Sequence, residues 1–319
     1  MESDVMQEYV SVIGGSNLDV KGEPYDVLKM GTSNPGRIVL SPGGVGRNIA
    51  HNLALLGVPV HLLSAVGDDL FGREILESAR QAGVCVDAVR IVQKQRSGLY
   101  LSLLDHQHEM AVAVSDMKIV RQVDRVYLAK HTDSIRASRF VVLEANLESD
   151  VLQFAANLCR KAQVPFLVEP VSVEKAKRLQ YIPGQIDFLT PNMLELEALA
   201  VSSHANMLPT SQESLEKLCT DVGKRCRSLL VTHGKEGIFY YQDATRTGEW
   251  YRPKSVDVVD ANGAGDAFVA GFVSGIFFRY PIERCIRLGM AVAYLALQSP
   301  ETVNPAISLK QCLSMVESE

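Results

Sequence analysis

The sequence predicts an α/β fold: a mainly parallel sheet covered by helices on both faces, with a small β appendage set apart from it. Three observations predict this. Short apolar, β-rich runs alternate with helical patterns across short connections, and that rhythm builds parallel sheets. The rhythm breaks once, between about 89 and 115, where two β-rich runs follow one another with no helix between them. The chain has 319 residues, 47% of them hydrophobic, which is enough for one large domain spanning 1–319 with an appendage inserted in it.

Residues 9–14 (YVSVIG) read as a buried strand ending in Gly14-Gly15, with Ser16-Asn17-Leu18-Asp19 as its polar exit. Residues 20–41 are irregular, rich in Gly and Pro, and end in an apolar run from Arg37 to Leu40. Pro42-Gly43-Gly44-Val45-Gly46 then leads into a helix from Arg47 to Leu56, where Ile49, Leu53 and Leu56 recur at helical spacing and Gly57 is a stop. Strand 60–66 and helix 70–82, closed by Gly83, repeat the pattern. Runs 98–104 and 109–114, separated by Asp105-His106-Gln107-His108, form a hairpin. Together with 20–41, the segment 89–115 is expected to form a lid. Strand 139–143, helix 149–163, strand 165–168 and strand 186–190 follow, and Pro191 opens helix 192–200. Helix 211–226, strand 228–232 and hairpin-like strands over 237–252 precede three closing helical segments.

Net charge is −5, which gives no support for nucleic-acid binding. The short basic cluster from Lys175 to Arg178 reads as a solvated helix face. Six scattered cysteines form no C-x-x-C pair, and the histidines lack zinc-ligand spacing, so free thiols in a reducing compartment are expected. The acidic start MESDVMQEYV is unlike a signal peptide, and no run approaches the roughly 20 apolar residues that span a bilayer. A cytoplasmic protein with no membrane partner is the expectation.

The chemistry concentrates in Asp260-Ala261-Asn262-Gly263-Ala264-Gly265-Asp266, a glycine turn running into the apolar helix 264–279. The first amides of a helix lack internal partners and attract anions. Asp266 stands where an anion should bind, and a base that takes a proton from an attacking hydroxyl accounts for it there. The competing reading is a first-turn carboxylate favoured by the helix dipole. Ligands of open α/β sheets bind beyond the carboxyl ends of the strands, and four more polar clusters fall there. Asn17 and Asp19 could grip vicinal sugar hydroxyls or merely make an Asx turn. Gly43, Gly44 and Gly46 flank Asn48 in a second glycine-rich helix entry, without the Gly-Lys-Ser/Thr of a Walker loop. Asn192 and Glu195 have capping-box spacing, and could instead hold water around Mg²⁺, which keeps several waters and needs few protein ligands. Thr232-His233-Gly234-Lys235-Glu236-Gly237 is either a tight hairpin turn or a nucleotide-phosphate clamp.

The order and spacing of Pro42-Gly43-Gly44-Val45-Gly46-Arg47-Asn48, Asn192-x-x-Glu195, Thr232-x-Gly234 and Gly263-Ala264-Gly265-Asp266 resemble those of the ribokinase-like (PfkB) carbohydrate and nucleoside kinases, over essentially the whole chain. That resemblance implies a three-layer α/β/α sandwich with a β lid. Within the family, SNPGRIVLSPGGVGRNIAHNLALLG, LYLSLLD and Asp116-Met117 look most like the bacterial pseudouridine kinases.

By the same resemblance, Asp266 is the catalytic base and the Gly263, Ala264 and Gly265 amides form an anion hole. Asn17, Asp19, Gly43, Gly44 and Asn48 match sugar-binding positions. Asn146 and Glu148 follow a strand where a further substrate contact is expected. Asn192 and Glu195 match the magnesium-water motif, and Thr232, Gly234 and Gly237 match the ATP-binding region. Asp260 looks like a monovalent-cation position, potassium in the family. Here Ala261 and Asn262 replace the two threonines of the usual Asp-Thr-Thr-Gly-Ala-Gly-Asp run, which bears on the potassium response more than on the chemistry. The implied activity is ATP-dependent phosphorylation of the 5′-hydroxyl of pseudouridine. The same chemistry on adenosine, inosine, ribose or fructose stays open, as does an idle ligand sensor on a kinase scaffold. An exposed lid edge with apolar strand residues invites a second copy, so a homodimer through the lid is expected.

Overall fold

The chain, seen in a computed structural model, is described over residues 8–107, 110–182, 184–200, 211–255 and 257–317. His108 and Glu109 of the predicted hairpin, and the first seven residues, lie outside that range. The first half runs β1 (Val10–Ile13), β2 (Asn17–Pro24), β3 (Gly36–Gly43), α1 (Val45–Leu55), β4 (Val60–Leu63), β5 (Ala65–Gly67), α2 (Leu70–Gln81), β6 (Arg90–Val92), β7 (Gly98–Leu104), β8 (Met110–Asp116), α3 (Arg125–Lys130) and α4 (Thr132–Ala137). Then come β9 (Phe140–Glu144), α5 (Ser149–Ala162), β10 (Phe166–Glu169), α6 (Val173–Ala176), β11 (Ile186–Leu189), α7 (Met193–Leu199), α8 (Gln212–Gly223), β12 (Cys226–Thr232), β13 (Ile238–Gln242) and β14 (Thr247–Tyr251). The helices α9 (Ala264–Phe277), α10 (Ile282–Leu297) and α11 (Leu309–Glu317) close the chain.

The main sheet has eight strands in the order β14-β13-β12-β11-β10-β9-β1-β4. Its pairs are parallel from β4 to β12, and β13 and β14 add an antiparallel edge. Side chains alternate across a strand, so each face builds its own core. Ile13, Val141 and Leu143 join one apolar cluster with residues of α5, α7 and α8. Val10, Val12, Phe140 and Val142 join the other, with residues of α1, α2 and α9. This is the α/β/α sandwich expected from the sequence.

The lid is a four-stranded sheet in the order β3-β2-β7-β8. The supposedly irregular segment 20–41 is in fact largely a hairpin, with β2 and β3 paired from Asn17↔Gly43 to Pro24↔Gly36. Asn17 and Asp19 therefore lie within a lid strand and are not a loop after β1. The lid also begins later in its second half than expected. β6 leaves it to pair with β5, because the strand read as 60–66 breaks at Ser64 and sends its second part into this separate two-stranded sheet. α3 and α4 lie between 116 and 138, where the sequence predicts no element.

Register sorts the lid residues onto two faces of opposite polarity. One face carries the rows Leu40–Val20–Leu101–Val114 and Ile38–Gly22–Leu103–Val112. The other carries Ser41–Asp19–Tyr100–Ser115 and Val39–Lys21–Ser102–Ala113. The polar rows turn inward over a cavity, whereas Ile38, Leu40, Leu101, Val112 and Val114 face outward and are exposed. That inverts the usual amphipathic rule, in which the apolar face is the covered one.

α9 is apolar nearly all round because it lies between the sheet and α10. Gly271 permits this approach: a Cβ there would stand 2.7 Å from the Gly289 Cα and 2.8 Å from the Leu288 carbonyl oxygen. Gly271→Val is expected to force the two helices apart and destabilise the fold by about 2–3 kcal/mol. A lowered Tm, with activity lost at temperatures the wild type survives, is the readout.

Candidate active site

Asp266 occupies the first turn of α9, directly after a turn in which Gly263 adopts φ 79°. Only glycine takes this conformation without strain. Gly263 is further constrained because a Cβ would meet the Thr302 carbonyl oxygen at 2.1 Å. A Cβ on Gly265, by contrast, would meet open space. The Ala264 amide turns back to the Ala261 carbonyl at 3.4 Å, and Ala264 does not line the cavity, so Gly263 and Gly265 form the open side of the turn.

Opposite this turn, α1 begins at Gly44, held at φ 98° so that the chain passes against the Gly15 carbonyl and Ser16. Asn48, one turn into that helix, donates from Nδ2 to Asp266 Oδ2 at 2.8 Å. The two glycine-rich helix entries, more than two hundred residues apart in sequence, thus meet through one side-chain hydrogen bond. Asp266 is deep in the molecule yet keeps part of its surface open to the cavity. Desolvation pushes its carboxyl up to about 7, the Asn48 hydrogen bond opposes this, and the charges of Glu144 and Asp19 add to it.

The cavity measures about 650 Å³, and its wall includes Asn17, Asp19, Gly44, Asn48, Asn146, Asn192, Glu195, Thr232, Gly263, Gly265 and Asp266. Asn17 donates to Asp19 at 2.6 Å. Burial raises the Asp19 carboxyl, while that hydrogen bond and the charge of Arg47 restrain it. Asn192 and Glu195 do form a reciprocal capping box at the start of α7, each side chain accepting from the other's amide at 2.9 Å. They also line the cavity, so the capping box does not take them out of the candidate site.

Other predicted residues fall elsewhere. Gly43 lies outside the cavity wall and makes room for the Asp19 carboxylate, whose Oδ2 would be 2.2 Å from a Cβ at that position. Glu148 sits at the start of α5 and pairs with Arg121 at 3.2 Å, away from the cavity. Gly234 and Gly237 shape the turn between β12 and β13 without lining the cavity. Asp260 is engaged by Lys21 of the lid, Nζ to Oδ2 at 2.9 Å, while its Oδ1 accepts from the Asn262 amide at 2.9 Å. The basic cluster also departs from expectation. Arg178 turns inward to donate to the carbonyls of Ala145, Asn146 and Leu147, and Lys175 lines the cavity, so only Lys177, paired with Glu174, behaves as a solvated face.

Two carboxylates escaped the sequence reading. Glu144 and Glu169 end the neighbouring strands β9 and β10 in register. Glu144 is fully buried and accepts from the Gly15 amide and from Asn146, holding the latter toward the cavity. Glu169 lines the cavity and accepts from Thr190 Oγ1 at 2.5 Å. Burial, followed by the charge of Glu195, pushes its carboxyl well above the usual range, and Asp266 adds to that effect. The signal was available: a glutamate that terminates an otherwise apolar, fully covered strand points to the ligand crevice by the same rule that singled out Asn17.

The sequence matches the pfkB family of carbohydrate kinases over residues 7–309. The chain belongs to this family. It is 36% identical over 313 residues to pseudouridine kinase of Escherichia coli K12, covering 98% of this chain and 97% of that one. It is 27% identical to guanosine-inosine kinase of Exiguobacterium acetylicum, covering 92% and 95%. Among solved structures, Arabidopsis thaliana ribokinase complexed with ribose and ATP superposes with a TM-score of 0.85 at 22% identity, covering 98% of this chain and 99% of that one. This pfkB kinase is therefore a phosphotransferase acting on a hydroxyl group. No helix among the described residues is long and apolar enough to cross a membrane.

The raised carboxyl of Asp266 gives a stability prediction. A group whose folded pKa, about 7, exceeds its ordinary value of 3.8 favours the folded state when protonated. Its contribution is fully present below 3.8 and is lost as pH rises through 7. Asp266→Asn, which keeps an acceptor for Asn48, is expected to melt higher than wild type above neutrality, by on the order of 1–3 kcal/mol, with the gap closing toward pH 4. Calorimetric melts across that range provide the check.

Proposed function

We propose that this kinase transfers the γ-phosphoryl group of ATP to the 5′-hydroxyl of pseudouridine. The observation that carries the reading is the Asn48–Asp266 hydrogen bond at the floor of a cavity roofed by the polar lid face. A carboxyl held near 7 suits a general base at neutral pH. In this reading Asp19 and Asn48 hold the ribose hydroxyls and leave the 5′-hydroxyl beside Asp266. Asp266 accepts its proton as the oxygen attacks phosphorus in line, and the Gly263 and Gly265 amides on the open side of the turn receive the charge that develops on the phosphoryl oxygens. Thr232, which lines the cavity at the end of β12, faces the nucleotide phosphates. The polar lid face closes over the sugar and excludes water that would otherwise hydrolyse ATP.

The donor set suits magnesium. Glu169 and Glu195 both line the cavity, and their carboxyls are raised by burial, that of Glu169 also by the charge of its neighbour. A hydrated dication relieves such crowding. Asn192, Glu195 and Glu169 would hold it through water, and when bound it would neutralise charge on the triphosphate. The 36% identity with a pseudouridine kinase supports the nucleoside over a free sugar. The likeness to a guanosine-inosine kinase keeps purine nucleosides in the test.

A coupled assay of ATP consumption with pseudouridine, uridine, adenosine, inosine, ribose and fructose checks the assignment. Pseudouridine is expected to give the highest kcat/KM. A higher value for another acceptor would reassign the substrate, and no turnover with any of them would overturn the nucleoside assignment. Asp266→Asn should lower kcat by roughly 10²–10⁴-fold with substrate affinity little changed. The wild-type kcat/KM should rise with pH through about 7, since the base must be ionised.

The outward lid face supports a homodimer. Ile38, Leu40 and Val114 are 74%, 56% and 63% exposed on one sheet face, an apolar surface that a second copy would cover. Leu40→Asp combined with Val114→Asp is expected to convert a dimer to a monomer in sedimentation experiments. An unchanged sedimentation coefficient would exclude this face as the interface.

A further inference from the structure

The family resemblance implies a monovalent cation at Asp260, and the residues present do not fit one. Both carboxylate oxygens are already engaged, Oδ2 by the Lys21 ammonium and Oδ1 by the Asn262 amide. Ala261, in place of the first threonine of the usual run, adds no side-chain oxygen, so Oδ2 of Asp260 is the oxygen left for a cation once Lys21 is removed. Lys21 stands in the middle of β2 on the inward, polar face of the lid, in one row with Val39 and Ser102. Its side chain reaches from the lid to a loop that is remote in sequence but only three residues from Gly263. The pair is largely shielded, with side-chain exposures of 25% and 19%.

We propose that Lys21 is a built-in cation that takes the place of potassium at Asp260, and that it links lid closure to the ordering of the 260–265 turn. This rests on the kinase reading above. An ion drawn from solution neutralises Asp260 whether the lid is open or shut. An ammonium carried on the lid does so only when the lid is down. The loop is otherwise fixed from the opposite side, where the Val259 and Asp260 amides donate to the Leu297 carbonyl and Gly263 packs against the Thr302 carbonyl. With Lys21 in place, the loop is held from both sides, and the open amides of the anion hole are positioned when the sugar is enclosed. Lys21 is thus a positioning residue, acting through Asp260 and the turn.

The test compares KCl with choline chloride at equal ionic strength in two assays. One is ATP turnover with pseudouridine. The other is the thermal melt of the protein alone, which requires no catalysis. The wild type is expected to respond identically to the two salts in both assays. Lys21→Met is expected to lose on the order of tenfold in kcat/KM in choline chloride and to acquire a response to KCl, in turnover and in Tm. Lys21→Arg, which keeps the charge, should remain indifferent to KCl. Activation or stabilisation of the wild type by KCl beyond choline overturns the proposal, as does a Lys21→Met variant that gains no KCl response. Absence of turnover in every protein would strike at the kinase reading, and the melts would then decide the cation question by themselves.

Discussion

The site depends on one hydrogen bond between two helix entries. Asn48 at the start of α1 and Asp266 at the start of α9 meet at 2.8 Å. Each helix is placed by a glycine turn that only a missing side chain permits: Gly44 against Gly15 and Ser16, and Gly263 against Thr302. Because both backbones must come this close, a carboxylate is left deep in the molecule with, among the described residues, a single side-chain donor to support it. Burial raises its proton affinity, and the glycines that create the burial also leave open backbone beside it. The proposed base and the proposed anion-binding turn are consequences of the same packing constraint.

The rest of the fold serves that junction. The main sheet supplies the floor through its carboxyl ends, where Glu144, Glu169 and Thr232 terminate their strands. The lid supplies the roof, and its reversed polarity follows from that duty. The cavity takes the polar rows of Asp19 and Lys21, so the apolar rows must face outward. An outward apolar face is unfavourable for an isolated chain. The polar roof and the exposed apolar face on which a second copy is proposed to sit therefore follow from one strand register.

Much of this was legible in the sequence, for physical reasons. Buried parallel strands and amphipathic helices follow from hydrophobic periodicity, and Asp266, Asn48, Gly44 and Gly263 stood out because backbone approach demands glycine at fixed offsets. β2 and β3 are not legible as a paired hairpin, because Gly22 and Pro24 in β2 and Pro42 and Gly43 in β3 weaken the strand signal. Lys21, Lys175 and Arg178 look like ordinary surface cations until the tertiary structure turns them inward. The family resemblance points to Asn146 and Glu148 past the end of β9, and nothing in the motif itself singles out Glu144 at the strand's buried end. Strand-end burial in fact favours Glu144, whose carboxylate organises the Gly15 amide and Asn146.

The most direct measurement is the structure of the protein with pseudouridine and a non-hydrolysable ATP analogue. The account predicts the 5′-hydroxyl oxygen within about 3 Å of an Asp266 carboxylate oxygen, with the γ-phosphate on the amides of the 263–265 turn. A nucleoside bound with its 5′-hydroxyl directed away from Asp266, or a triphosphate ending elsewhere than at that turn, would contradict it.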